Sequence, residues 1–155
     1  MTEQMTRRVA TVAVALTLAA TAGCARTTMT PTAETWLGTN AADFRAPGFP
    51  MGARIAVLHG NPADTGNFVV RLGFPDGYAV PPHWHPTTET VTVLRGTFVL
   101  GMGEQADRSQ ARPVGVGGVA VAPARMPHYA WAQGETVVQV HGRGPFQLNL
   151  VGQTP

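Results

Sequence analysis

Lysine is absent from this chain of 155 residues: all eleven basic side chains are arginine, which reads as compositional bias of the genome and not as function. Cysteine occurs once, at Cys24, so no disulfide forms within the chain. Charge is sparse, at 13% of residues. From Cys24 onward nine arginines face eight acids, a net charge of about +1 with no basic stripe, which excludes a nucleic-acid-binding surface. No apolar run is long enough to span a bilayer as a helix, which takes about 20 residues. No long stretch repeats its apolar residues at the helical period either, whereas 18 glycines and 13 prolines suit many short strands joined by turns. The length leaves room for one domain with a single core.

Arg7 and Arg8 precede Val9–Ala22, an uncharged run of fourteen small and apolar residues with the layout of a secretory signal over residues 1–23. Export to the periplasm follows as an expectation. Two cleavage routes fit the sequence. Thr21-Ala22-Gly23-Cys24 resembles a bacterial lipobox with threonine in place of the usual leucine, and would lead to lipidation of Cys24. Ala20-Thr21-Ala22 fits the small-x-small rule of ordinary signal peptidase. Residues 24–50 then form a tether and an irregular extension. Its aromatics, Trp36, Phe44 and Phe49, bury too much apolar area for a solvated linker and are expected to pack across the outside of the domain or onto a second copy, a homodimer contact. Membrane association is expected only through the lipid anchor.

Strands are expected over 53–58 and 67–74, the second with Phe68, Val70 and Leu72 on one face and Val69 and Arg71 on the other. Further strands are expected over 89–94 and 97–100, paired as a hairpin across Arg95-Gly96, then over 119–121, 128–131, 136–141 and 146–151. Turn signals at short, regular spacing and the lack of a helix predict an all-β antiparallel sandwich or barrel over residues 51–155.

The chemistry concentrates in Gly77 to Gly96. His83 and His85 lie two apart, so on an extended strand both imidazoles fall on one face and can converge on one ion. Glu89 follows in phase with Val91 and Val93. An acid on a core-facing strand must be satisfied, and a divalent transition metal would do so. Pro81-Pro82 removes backbone donors and holds the approach to His83 extended. Trp84 points the other way by the same alternation.

This stretch resembles the first motif of the cupin superfamily, G-x5-H-x-H-x3-E-x6-G, at every fixed position. The second motif, G-x5-P-x-G-x2-H-x3-N, resembles Gly117 through Pro123 to His128, with Arg125 in place of the family's glycine and Ala132 in place of its asparagine. The resemblance covers roughly residues 66–150. It implies a small jelly-roll β-barrel, and it makes His128 the fourth ligand beside His83, His85 and Glu89. Three imidazoles and one carboxylate leave one or two positions open on a five- or six-coordinate cation, with Fe, Mn, Zn, Ni and Cu all compatible.

His141 shares a strand face with Gln139 and Val137. If that face points inward, His141 lines the cavity as a proton carrier or supporting group; otherwise it is an exposed strand end. His59 belongs to a surface turn. Tyr129 and Trp131 alternate with His128 and face away from the metal. Phe98, Leu100 and Met102 share a face as core or cavity wall, Met102 nearest the mouth.

Two functions follow from the resemblance. One is a metal-dependent oxidoreductase, dioxygenase-like, acting on a small organic molecule. The other is a non-catalytic module that binds metal or a small ligand. Epimerase or isomerase chemistry is disfavoured because, apart from Glu89, no acid sits in core alternation.

Overall fold

The computed structural model describes residues 49–152 and the backbone of Ala42–Asp43. The leader over 1–23, Cys24 with its tether, Trp36 and Phe44 lie outside the described residues.

Among the described residues there is no helix. The strands are β1 (Ala42–Asp43), β2 (Arg54–His59), β3 (Asn67–Phe74), β4 (Ala79–Trp84), β5 (Glu89–Met102), β6 (Arg112–Val114), β7 (Val119–Ala122), β8 (His128–Arg143) and β9 (Asn149–Leu150). All pairings are antiparallel. Alternation decides what faces inward: Phe68, Val70, Leu72 and Phe74 of β3 are buried, while Val69 and Arg71 between them are not. Glu89, Val91 and Val93 of β5 are buried in the same way.

Strand β8 organises the sheet. β5 runs along one edge of it, from Glu89 opposite Gly142 to Met102 opposite His128. Along the other edge β4 pairs with its first part and β3 with its second. Side chains from β3, β4, β5 and β8 meet in one apolar cluster, so the sheet curls around a shared interior. The expected jelly-roll architecture is therefore present as a single curled antiparallel sheet, and no pairing among the described residues joins its two ends.

The hairpin expected across Arg95-Gly96 does not form. Residues 89–102 are one continuous strand, as are residues 128–143, where two strands were expected. Gly96 does take a positive φ, +70°, but it serves a pair of register shifts and not a turn. The ladder jumps there from Arg95 opposite Val137 to Thr97 opposite Gln133. Thr136, fully buried at the irregularity, places its hydroxyl 3.1 Å from the Thr97 carbonyl and 3.0 Å from that of Gly134. Such a donor partners backbone carbonyls at a break in the ladder.

The strand expected over 146–151 shrinks to Asn149–Leu150. Phe146 spends its amide on the Pro62 carbonyl, 2.7 Å away, and the Gln147 carbonyl accepts from the His85 side chain. That segment is thus committed to a loop and to the site. A short strand not expected from the sequence, β6, tolerates Pro113 because it lies at an edge, paired only to β5.

Candidate metal centre

His83 and His128 sit opposite each other on β4 and β8, a register pair whose ring centroids are 4.3 Å apart. His85 lies just past the end of β4, and Glu89 begins β5. All four are buried. The ligand atoms of His83, His85 and His128 lie within 4.8 Å of one another. His83 Nε2 is 3.2 Å from His85 Nε2. One Glu89 carboxylate oxygen lies 3.2 Å from His85 Nε2 and 3.7 Å from His128 Nε2.

The backbone fixes which nitrogen faces the centre. Nδ1 of His83 lies 2.8 Å from the Pro81 carbonyl, Nδ1 of His85 2.7 Å from that of Gln147, and Nδ1 of His128 3.0 Å from that of Met126. A carbonyl only accepts, so each Nδ1 carries the proton and donates it. Three Nε2 lone pairs are thereby turned toward one another and toward a carboxylate. Lone pairs 3.2 Å apart repel unless a cation, proton or metal, lies between them. Three imidazole nitrogens and one carboxylate oxygen, with tautomers held by backbone carbonyls, are a donor set suited to a divalent transition metal.

Without metal the four groups shift one another's ionisation. Burial, reinforced by positive charge on His128 and His85, drives the His83 pKa down to about 3. Burial also opposes charge on His85, but the hydrogen bond and negative charge of Glu89, with the Gln147 carbonyl, outweigh it and raise its pKa. Burial acts on Glu89 to favour the neutral acid, yet hydrogen bonds from His128 and His85 overcome this and hold it well below the usual carboxylate range. In the metal-free site burial and its neighbours thus favour a neutral His83, while Glu89 favours the protonated form of His85.

The four groups open onto a cavity of about 40 Å³ whose other walls are all aliphatic or aromatic. Phe98, Leu100, Val138 and Val140 contribute from β5 and β8. Phe146 stacks on His85 with centroids 5.0 Å apart, and Phe49 meets His83 edge-on at 5.3 Å. Phe49 was expected on the outside of the domain. It lines the cavity instead, beside Pro50, whose carbonyl accepts a 2.7 Å hydrogen bond from Tyr78.

His141 is a correction: it is exposed, bonded to Gln139 at 3.0 Å, on the face away from Val138 and Val140, and it does not line the cavity. Met102 is exposed and outside the cavity lining as well. Tyr129 faces away from the site, as expected, and packs with Val99 and Ala111. Arg125 takes φ +62°, the left-handed conformation for which the family motif uses glycine, and its amide donates to the His85 carbonyl at 2.8 Å. Ala132 sits in the core, where its backbone bonds Gly77 and Tyr78 and no side-chain amide is required.

A family model described as a cupin domain matches residues 70–141, the stretch that supplies every ligand candidate. Residues 70–141 are a cupin domain. Among solved structures this cupin resembles the polyketide cyclase RemF from Streptomyces resistomycificus, at 20% identity and a TM-score of 0.60 over 76% of this chain and 83% of that one. It also resembles a putative acetylacetone dioxygenase from Methylibium petroleiphilum, at 16% identity and a TM-score of 0.59 over 74% of this chain and 78% of that one. A third is salicylate 1,2-dioxygenase from Pseudoaminobacter salicylatoxidans, at 12% identity and a TM-score of 0.55 over 66% of this chain and 30% of that one. Likeness at these identities is likeness of fold. No curated protein matches the chain by sequence.

Proposed function

We propose that this cupin is a metal-dependent oxidoreductase, dioxygenase-like, acting on a small organic molecule at a centre formed by His83, His85, Glu89 and His128. The observation that carries the reading is the convergence of three Nε2 atoms and a carboxylate at the polar end of an apolar cavity. A divalent metal held there would supply a Lewis acid and, for Fe, Mn or Cu, redox capacity. The chain's own part is to turn each imidazole through its Nδ1 contact, to exclude bulk water and to hold an enolisable or phenolic oxygen near the ligands. Two of the structural relatives named above are described as dioxygenases, which agrees with this choice.

A specific observation favours a second reading, a non-catalytic ligand- or metal-binding module. Among the described residues the cavity holds no acid or base besides the four ligand candidates, so none of the other lining side chains moves a proton. The proposal extends to export through the leader over 1–23, either as a lipoprotein acylated at Cys24 or as a periplasmic protein released by ordinary signal peptidase, and to a homodimer.

Oxygen uptake by protein loaded in turn with Fe(II), Mn(II), Ni(II) and Cu(II), screened against diketones, flavonols and dihydroxybenzenes, separates the two. Turnover that His83→Ala abolishes is expected of the enzyme. Stoichiometric binding without product in every metal form would leave the binding module standing alone.

A further inference from the structure

We infer that the ligand of this site is a compact molecule that is uncharged outside a single metal-binding oxygen group; this rests on the metal centre proposed above and adds the substrate class. The inference starts from what the cavity lacks. Every polar side chain that lines it belongs to the candidate ligand set, and each is already committed: the imidazoles through Nδ1 to backbone carbonyls, Glu89 to His85 and His128.

The remaining walls, among them Phe49, Leu72, Phe98, Leu100, Phe146 and Leu148, offer neither a donor nor an acceptor in their side chains. Among the described residues no arginine reaches the cavity. A carboxylate or phosphate on the distal part of a ligand would lose its water there and meet no compensating partner, which is costly for an ion. The only place a ligand can spend polarity is at the metal. Carboxylate-bearing substrates that depend on a second anchoring cation are therefore discriminated against, and so are sugars, whose several hydroxyls would each need a partner.

Size narrows the class further. On the scale of the 40 Å³ cavity a water molecule takes about 10–15 Å³, so the space holds about three or four waters. At about 30 Å³ of liquid volume per water this is on the order of 100 Å³, room for the metal-binding end of a small molecule and well short of a drug-sized ligand. Short branched or cyclic molecules bearing one carbonyl, enol or chelating oxygen pair fit this description.

The test uses full-length protein loaded with Co(II), whose visible absorption responds when a ligand enters the coordination sphere. Acetohydroxamate, 3-methylbutanohydroxamate and malonic acid monohydroxamate are titrated in turn; the last two have the same shape, but one ends in two methyl groups and the other in a carboxylate. The expected result is that both neutral probes shift the spectrum, with the carboxylate probe bound at least tenfold more weakly than its methyl counterpart. Equal or tighter binding of the carboxylate probe overturns the inference while leaving the metal centre intact. The same holds if Co(II) binds stoichiometrically and no neutral probe shifts its spectrum. Failure to take up Co(II) at all overturns both this inference and the function it rests on.

Discussion

Replacing His83 by leucine should flatten the acid sensitivity of the metal-free protein. His83 is 4% exposed, and burial first, then neighbouring His128 and His85, takes its pKa from 6.5 to about 3. Between those values the unfolded chain accepts a proton that the folded site refuses. Stability is therefore kept above pH 6.5 and falls as pH drops toward 3. At about 1.4 kcal/mol per pKa unit, the difference between pH 7 and pH 5 is about 2 kcal/mol from this residue.

Glu89, whose folded pKa is lowered, adds to the loss once pH falls below the ordinary carboxylate value. His85 works in the opposite sense. Its raised pKa gives a contribution fully present below 6.5 and lost as pH rises through the folded value, so wild-type curves alone mix the two histidines. Urea unfolding of metal-free wild type and His83→Leu at pH 7 and pH 5 separates them. Wild type should lose about 2 kcal/mol more than the variant across that interval. Equal losses in the two proteins would refute the idea that a neutral, desolvated His83 sits in this site.

Arg125→Gly should stabilise the domain by about 0.5–1 kcal/mol, since relief of the left-handed φ of +62° exceeds the added unfolded-state entropy, and Arg125→Val should destabilise it; thermal melts decide. Gly96→Ala should cost about 2 kcal/mol or more, because the new Cβ would lie 2.5 Å from the Glu135 carbonyl oxygen and 2.6 Å from Thr136 Oγ1 at a positive φ; an unchanged denaturation midpoint would count against the bulge. Metal binding should release protons, because Glu89 favours a protonated His85 and the cation needs that nitrogen's lone pair; calorimetry in buffers of different ionisation enthalpy reads the number. Saturation at a hundredfold excess over Kd should add about 2.7 kcal/mol of apparent stability, and His128→Ala should remove most of that gain.

Much of the site was legible because its signal is local. His83 and His85 lie two apart at the end of one strand, and Glu89 opens the next in phase with Val91 and Val93, which the same alternation correctly buried. His128 was legible only through its spacing from Gly117 and Pro123, since Arg125 breaks the motif and accepts the backbone strain instead.

What was misread depends on contacts distant in sequence. A positive φ at Gly96 suits a two-residue turn and a bulge equally well, and only the partner strand, with Thr136 beneath it, decides for the bulge. His141 was hard to phase because the sequence suggested two strands where β8 runs unbroken from His128 to Arg143. Counted from His128 as one strand, its odd offset puts it on the outer face with Tyr129. Phe49 and Phe146 carry no periodic signal at all. Their places are set by the Tyr78 hydroxyl on Pro50 and by the Phe146 amide on Pro62.

The account turns on whether these four side chains hold one cation, and anomalous diffraction from crystals of metal-loaded protein, paired with elemental analysis, asks that directly. It predicts one metal per chain, with Nε2 of His83, His85 and His128 and an oxygen of Glu89 at roughly 2.0–2.2 Å. A metal bound elsewhere, or none at stoichiometric loading with the imidazoles still turned inward, would contradict it.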